Sequence, residues 1–215
     1  KKRGGGAIKT GVKYQRLKKE AAHYFDAQRD TLSQLRLLSS EVPHPHRCPP
    51  SGRQPTFLVG FPRSGTTLLD TILRTHSEIN VVEEQPMVAK MRSKLGYPQG
   101  VGGIEGIDKD NLVVAVEAYS EELAKHAVES AVSVIIDKLP LNLLQAPLIN
   151  RVFPGAKFIL ALRHPLDCVL SCWMQNFNLN NAMANMVDLD RIVDFYCVAM
   201  EVFHLSEKRY WLDVH

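Results

Sequence analysis

The sequence has no apolar run approaching the roughly 18 residues that cross a bilayer, so no stretch of it reads as a membrane span. Its opening residues, KKRGGGAIKTGVKY, lack the apolar centre of a signal peptide. Cysteine is scarce: Cys48, Cys168, Cys172 and Cys197 are too few and too unevenly placed for a disulfide framework, which favours a reducing, cytoplasmic setting. An excess of one charge is missing too. With 26 Lys and Arg against 23 Asp and Glu, the net charge of +3 is spread along 215 residues without a basic block. Composition therefore calls for neither a nucleic acid nor a membrane surface as partner. There is no internal repeat and no initiating methionine. The chain begins at Lys1 and stops on YWLDVH, which reads as the start of a strand, so both ends are expected to continue in a longer protein.

What is present suits one good core plus an appendage, with 45% hydrophobic and 23% charged residues. Residues 14–38 are charged and helical in pattern, with Leu17, Ala21, Tyr24 and Phe25 near one face. The Pro- and Ser-rich SSEVPHPHRCPPSGRQP then reads as a linker. This divides the chain into a helical segment and linker over 1–53 and a domain over 54–215. In the second part, short apolar runs alternate with helical patterns. TFLVGF, INVV, VSVIID and AKFILAL read as strands, and 85–95 and 141–152 as helices. Leu68, Leu69, Ile72 and Leu73 share one helical face; Leu112, Val113, Val116, Leu123, Ala127 and Val128 mark a long amphipathic helix. GYPQGVGGIEG reads as a flexible loop, and Pro165 opens a helix carrying Leu166, Val169, Leu170 and Trp173. Tyr196, Met200, Phe203 and Leu205 mark the core face of a final helix. Continuous apolar strands separated by helices predict an α/β fold, a parallel sheet of P-loop type flanked by helices and preceded by the N-terminal helical segment.

The stretch GFPRSGTT, Gly60 to Thr67, stands between the first strand and the first helix of that domain. A glycine-rich turn there aims backbone N–H groups at the positive end of a helix dipole, a cradle for an anion. Gly60 and Gly65 permit the path, and Ser64, Thr66 and Thr67 add hydroxyls. A nucleotide triphosphatase needs a lysine just before the last hydroxyl residue to meet the β and γ phosphates. Thr66 occupies that place, and the positive charge comes instead from Arg63. The plain alternative is an ordinary turn.

FPRSGTTLL resembles the phosphosulfate-binding loop of sulfotransferases that use 3′-phosphoadenosine-5′-phosphosulfate (PAPS). It is closest in form to tyrosylprotein sulfotransferases and to bacterial sulfotransferases joined to tetratricopeptide repeats. The resemblance implies that Arg63, Ser64, Gly65, Thr66, Thr67 and Leu68 hold the donor's 5′-phosphosulfate. KFILALRHPLDCVLSCW is similar to the family's second donor motif, in which an arginine and a serine eight residues later clasp the 3′-phosphate; here these are Arg163 and Ser171. RHPLDCVLSCWMQNF looks more like the repeat-linked enzymes, which would make 1–53 the end of a repeat region. The donor's product is 3′,5′-ADP, and no metal is expected.

Sulfuryl transfer to a hydroxyl needs a base for the acceptor proton and cations for the leaving oxygen. NVVEEQP places two carboxylates after the second strand. The resemblance implies that the second, Glu84, is the base, with Glu83 in reserve; the alternative is a first-turn glutamate facing a helix dipole. It also implies that Lys138, after VSVIID, stabilises the leaving oxygen with Arg63; the alternative is a solvated strand-end lysine. Asp137 at the end of an apolar strand has the form of a magnesium-binding aspartate, against which the missing loop lysine counts. His164, Cys168 and Cys172 at four-residue spacing are read as structural, not as a zinc site, and His76 as structural. The expected function is sulfuryl transfer to a protein tyrosine, a sugar or a small metabolite. Its rivals are a P-loop kinase or NTPase and a repeat-linked interaction protein with a degenerate nucleotide site. A tyrosylprotein enzyme would imply the Golgi lumen instead of the cytoplasm.

Overall fold

A computed structural model describes residues 4–38, 54–98, 100–126, 133–178, 180–210 and 212–215. The linker expected over 39–53, Cys48, Ala127 and Val128 lie outside the described residues. The helices are α1 (Gly4–Leu37), α2 (Thr66–Leu73), α3 (Met87–Lys94), α4 (Gly100–Glu105), α5 (Lys109–Ala124), α6 (Ala146–Val152), α7 (Pro165–Trp173) and α8 (Leu189–Tyr210). The strands are β1 (Thr56–Val59), β2 (Ile79–Glu83), β3 (Val134–Lys138), β4 (Lys157–Leu160) and β5 (Asp213–Val214). They form one sheet in the order β2-β3-β1-β4-β5, with every pairing parallel. The predicted α/β architecture is what the chain adopts.

Alternation along the strands divides the core between two faces. Leu58, Val81 and Ile136 meet Leu69 and Leu73 of α2 on one side. Phe57, Val82 and Phe158 face the larger core with Ala115 and Tyr119 of α5, Ile149 of α6 and Phe203 of α8. Phe57 stacks on Phe158 at 5.6 Å between ring centroids, and Tyr119 meets Phe57 edge-on at 6.0 Å. Each fully buried phenyl ring of this kind contributes about 2–3 kcal/mol. The N-terminal helix joins the same core through Phe25, Leu32 and Leu35. Phe25 sits edge-on to Phe195 at 6.0 Å, and Arg36 grips Glu201 with two bonds of 2.6 and 2.7 Å.

Four local readings change. The glycine-rich loop expected over 96–106 contains α4, because Val101 and Ile104 turn inward one helical turn apart and Gln34 Oε1 accepts the Val101 N–H at 2.8 Å. In α2, Leu68 and Ile72 are exposed, while Thr66 and Asp70 take the buried positions. In α7, Cys168, Val169 and Cys172 face the core, leaving Leu166, Leu170 and Trp173 exposed. In α7 small side chains turn inward where the helix meets the Gly60–Thr67 loop, with the Cys172 thiol on the Pro62 carbonyl. The 141–152 segment divides into a 3-10 turn, Pro140–Gln145, and α6. Among the described residues no helix is long and apolar enough to cross a membrane.

Candidate active site

Because all the strands are parallel, the residues that follow them open on one edge of the sheet, the usual place for a site in such a fold. The loop after central β1 turns through Arg63 at φ 70° and Gly65 at φ 102°, both in the left-handed region. Glycine adopts that region freely, whereas arginine pays for it, and such strain is held where the surroundings over-determine it. Ser64 N–H closes the turn on the Phe61 carbonyl at 3.0 Å. Its buried Oγ has no hydrogen-bond partner, an orphan donor inside the loop. Gly60 is required sterically: a Cβ there would lie 2.5 Å from Ser64 Oγ and 2.8 Å from the Ala161 carbonyl oxygen. Gly60→Ala is therefore expected to displace the loop, lowering both the melting temperature and the affinity for anionic ligands; calorimetry and ligand titration check this.

The second predicted motif lies against this loop. Arg63 Nε donates to Ser171 Oγ at 3.0 Å, and Arg163 Nη1 donates to the Arg63 carbonyl at 3.3 Å. Arg163 also faces Asp167 at 3.6 Å. The Cys172 thiol donates to the Pro62 carbonyl at 3.3 Å, which ties α7 to the residue before Arg63. Burial pushes that thiol up to about 12, so it remains a neutral donor. Thr66 is buried, whereas Thr67 and Leu68 are exposed at the start of α2. Arg63, Arg163 and Ser171 are thus brought together beside the loop, with Arg63 rather than Arg163 on the serine.

The catalytic candidates meet on the neighbouring strands. Glu83 and Lys138 are register partners in β2 and β3, so their side chains point to the same face. Lys138 Nζ donates to Glu83 Oε1 at 2.7 Å and to Glu84 Oε1 at 3.2 Å. The lysine side chain is 0% exposed, against 47% for Glu83 and 58% for Glu84. Glu84 leaves the strand at φ 50° while its N–H reaches the Lys138 carbonyl at 2.8 Å, which turns its carboxylate back towards the ammonium. The bond from Lys138, with Arg74 behind it, holds the Glu83 carboxyl below the usual carboxylate range. A buried lysine between two carboxylates can exchange one of them for an incoming anion.

Sequence reasoning missed one element beside this cluster. Asp70 and Arg74 pair along α2, and Arg74 reaches Glu83 Oε2 at 3.7 Å. Their four-residue spacing was a visible signal. On the other face of β3, buried Asp137 accepts a bond from Tyr119 Oη at 3.1 Å, and its second oxygen has no partner. Burial pushes its carboxyl up to about 7. A carboxyl raised this way folds more favourably when protonated, so its contribution weakens as pH climbs from about 4 to 7. Chemical denaturation across that window is expected to show wild type losing stability and Asp137→Asn holding level. His76 caps a local turn, its Nδ1 accepting the Glu78 N–H at 3.2 Å. A cleft between α1, α4 and α6, lined in part by Thr31, Arg92, Gly100 and Leu148, shares no residue with the cluster.

The sulfotransferase family profile matches residues 55–213, from the strand before the loop to the last strand. The chain belongs to the sulfotransferase family. This sulfotransferase-family chain is 37% identical over 134 residues to an uncharacterized protein of Aquifex aeolicus (strain VF5), covering 58% of this chain and 17% of that protein. It is 34% identical over 114 residues to protein-tyrosine sulfotransferase 2 of Gallus gallus, covering 50% and 30% respectively. Nodulation protein NoeE of Sinorhizobium fredii is 32% identical over 123 residues, or 51% of this chain and 28% of that protein. The chain's match thus spans less than a third of the length of each of these relatives.

Proposed function

We propose that this chain carries the donor site and catalytic centre of a PAPS-dependent sulfotransferase acting on an acceptor hydroxyl. The observation that carries the proposal is the convergence of Arg63, Ser171 and Arg163 around the Gly60–Thr67 loop, on the same sheet edge as Lys138, Glu83 and Glu84. The residues fit the donor: the loop holds an unpartnered buried hydroxyl at Ser64, and its close approach at Gly60 leaves no room for a side chain. Loop N–H groups with Ser64, Gly65, Thr66, Thr67 and Leu68 would hold the phosphosulfate. Arg163 and Ser171 would take the 3′-phosphate, a forked cation with a neutral donor beside it.

Bound PAPS supplies an activated sulfuryl group on its 5′-phosphate. Glu84 takes the proton from the acceptor hydroxyl as the new oxygen–sulfur bond forms and the bond from sulfur to the 5′-phosphate oxygen breaks. Lys138 and Arg63 stabilise the charge that collects on that departing oxygen, and 3′,5′-ADP leaves. The residues named balance this charge with no metal ion in the scheme. A protein tyrosine is one acceptor class, by similarity to the chicken protein-tyrosine sulfotransferase; sugars and small metabolites are the others. Transfer of labelled sulfate from PAPS to an acceptor panel by the complete protein, undiminished by EDTA, is the expected result. No transfer to any class, or transfer that requires magnesium and ATP, would overturn the reading. Arg163→Ala is expected to weaken 3′,5′-ADP binding by roughly 10- to 100-fold, the worth of a hydrogen bond to a charged group. Its turnover at saturating donor should change little, which initial-rate kinetics would check.

A further inference from the structure

Two glutamates flank one lysine, yet their surroundings differ. Glu83 bridges two cations, with Lys138 at 2.7 Å on Oε1 and Arg74 at 3.7 Å on Oε2. Arg74 is itself anchored by Asp70, whose side chain is 4% exposed within α2. Among the described residues, Glu84 has Lys138 at 3.2 Å as its one cation within ion-pair distance. The side chains alternate in sign along a chain: Asp70, Arg74, Glu83, Lys138, Glu84. Two cations serve three carboxylates, and Glu84 is the terminal one.

We infer that Arg74, fixed by Asp70, is a positioning residue that keeps Glu83 as the standing counter-ion of Lys138 and leaves Glu84 as the carboxylate that takes the acceptor proton. The inference rests on the function proposed above. When Lys138 turns its ammonium to a departing phosphate oxygen, Glu84 is released from its cation and free to meet the acceptor hydroxyl, while Glu83 keeps Arg74. The same motion therefore frees the base and delivers positive charge to the departing oxygen. Without Arg74, Glu83 would have Lys138 as its remaining cation among the described residues and would compete with the leaving oxygen for it. The two glutamates would also lose the asymmetry that separates their roles. Arg74 needs no contact with donor or acceptor for this, and its effect runs through Glu83 alone.

The test uses the complete protein with Arg74→Ala, Arg74→Lys, Glu83→Gln and the Arg74→Ala/Glu83→Gln pair. Carboxylate titration by carbon NMR reads Glu83 directly, independently of turnover. Its midpoint is expected to rise in Arg74→Ala and to return in Arg74→Lys. Turnover with PAPS is expected to fall roughly three- to fivefold in Arg74→Ala, the size of one half-exposed ion pair, with donor KM unchanged. The loss should vanish in the Glu83→Gln background, because the arginine acts through that residue. An unmoved Glu83 midpoint, or an equal turnover loss in both backgrounds, would overturn the inference. If Arg74→Ala leaves buried Asp70 unpaired and fails to fold, Asp70→Asn/Arg74→Gln removes both charges together and takes its place in each comparison. A wild-type protein that transfers no sulfuryl group would overturn the function instead; the Glu83 midpoint would still decide whether Arg74 holds that carboxylate.

Discussion

Lys138→Ala is expected to lower sulfuryl transfer by about 10²- to 10³-fold, the usual cost of removing one preorganised group from a developing oxyanion. The lysine is fully buried and ends on two carboxylates, so its position is set before any ligand arrives. Alanine leaves Glu83 and Glu84 facing each other without their shared cation, but both are about half exposed and water can solvate them. The fold should therefore survive, and 3′,5′-ADP should still bind but less tightly, because that product keeps the 5′-phosphate oxygen Lys138 meets while the loop and Arg163 still hold the rest. Lys138→Arg should not restore full turnover, since a planar fork cannot replace a compact ammonium in the same buried space. Single-turnover kinetics beside ligand titration check both halves. A variant that keeps wild-type turnover would remove Lys138 from the mechanism.

Glu84→Gln is expected to cost about 10²- to 10⁴-fold in turnover, the range for losing a general base. Glutamine keeps the side-chain size and can still meet the lysine, so the change isolates the loss of proton affinity. Backbone strain supplies a useful control. Glu84 sits at φ 50°, where glycine is comfortable, so Glu84→Gly should fold at least as well while remaining inactive. The pH–rate profile distinguishes the two glutamates: the acidic limb should disappear in Glu84→Gln and persist in Glu83→Gln. The opposite pattern would make Glu83 the base.

The elements of the fold were legible where the physics was local. FLV, VII and FIL are continuous apolar runs at the centres of these strands, and buried parallel strands have that composition. Pro165 opens α7, as its fixed φ and missing N–H favour. Legibility failed where tertiary contacts decide. Glycines in GVGGIE argue against a helix until Gln34, 67 positions away from Val101, supplies the bond that starts one. In α2 half of the apolar pattern holds: Leu69 and Leu73 pack on the sheet, while Leu68 and Ile72 are exposed and Thr66 and Asp70 take buried positions.

The site divides in the same way. Arg63, Ser171, Glu84 and Lys138 were readable as residue types in motif context. The pairing of Glu83 with Lys138 depends on strand register across 55 residues, and that of Arg63 with Ser171 spans 108. Such distances carry no local periodicity, so neither the bridge through Arg74 nor the grip of Cys172 on the loop could be derived before the fold was known.

Titration calorimetry of the complete protein with 3′,5′-ADP in the presence of EDTA tests the central claim most directly, because it needs no knowledge of the acceptor. The account predicts saturable, metal-independent binding that weakens sharply in Arg163→Ala and Gly60→Ala and persists in Lys138→Ala. Absence of 3′,5′-ADP binding, together with magnesium-dependent binding of ATP at the same loop, would contradict it.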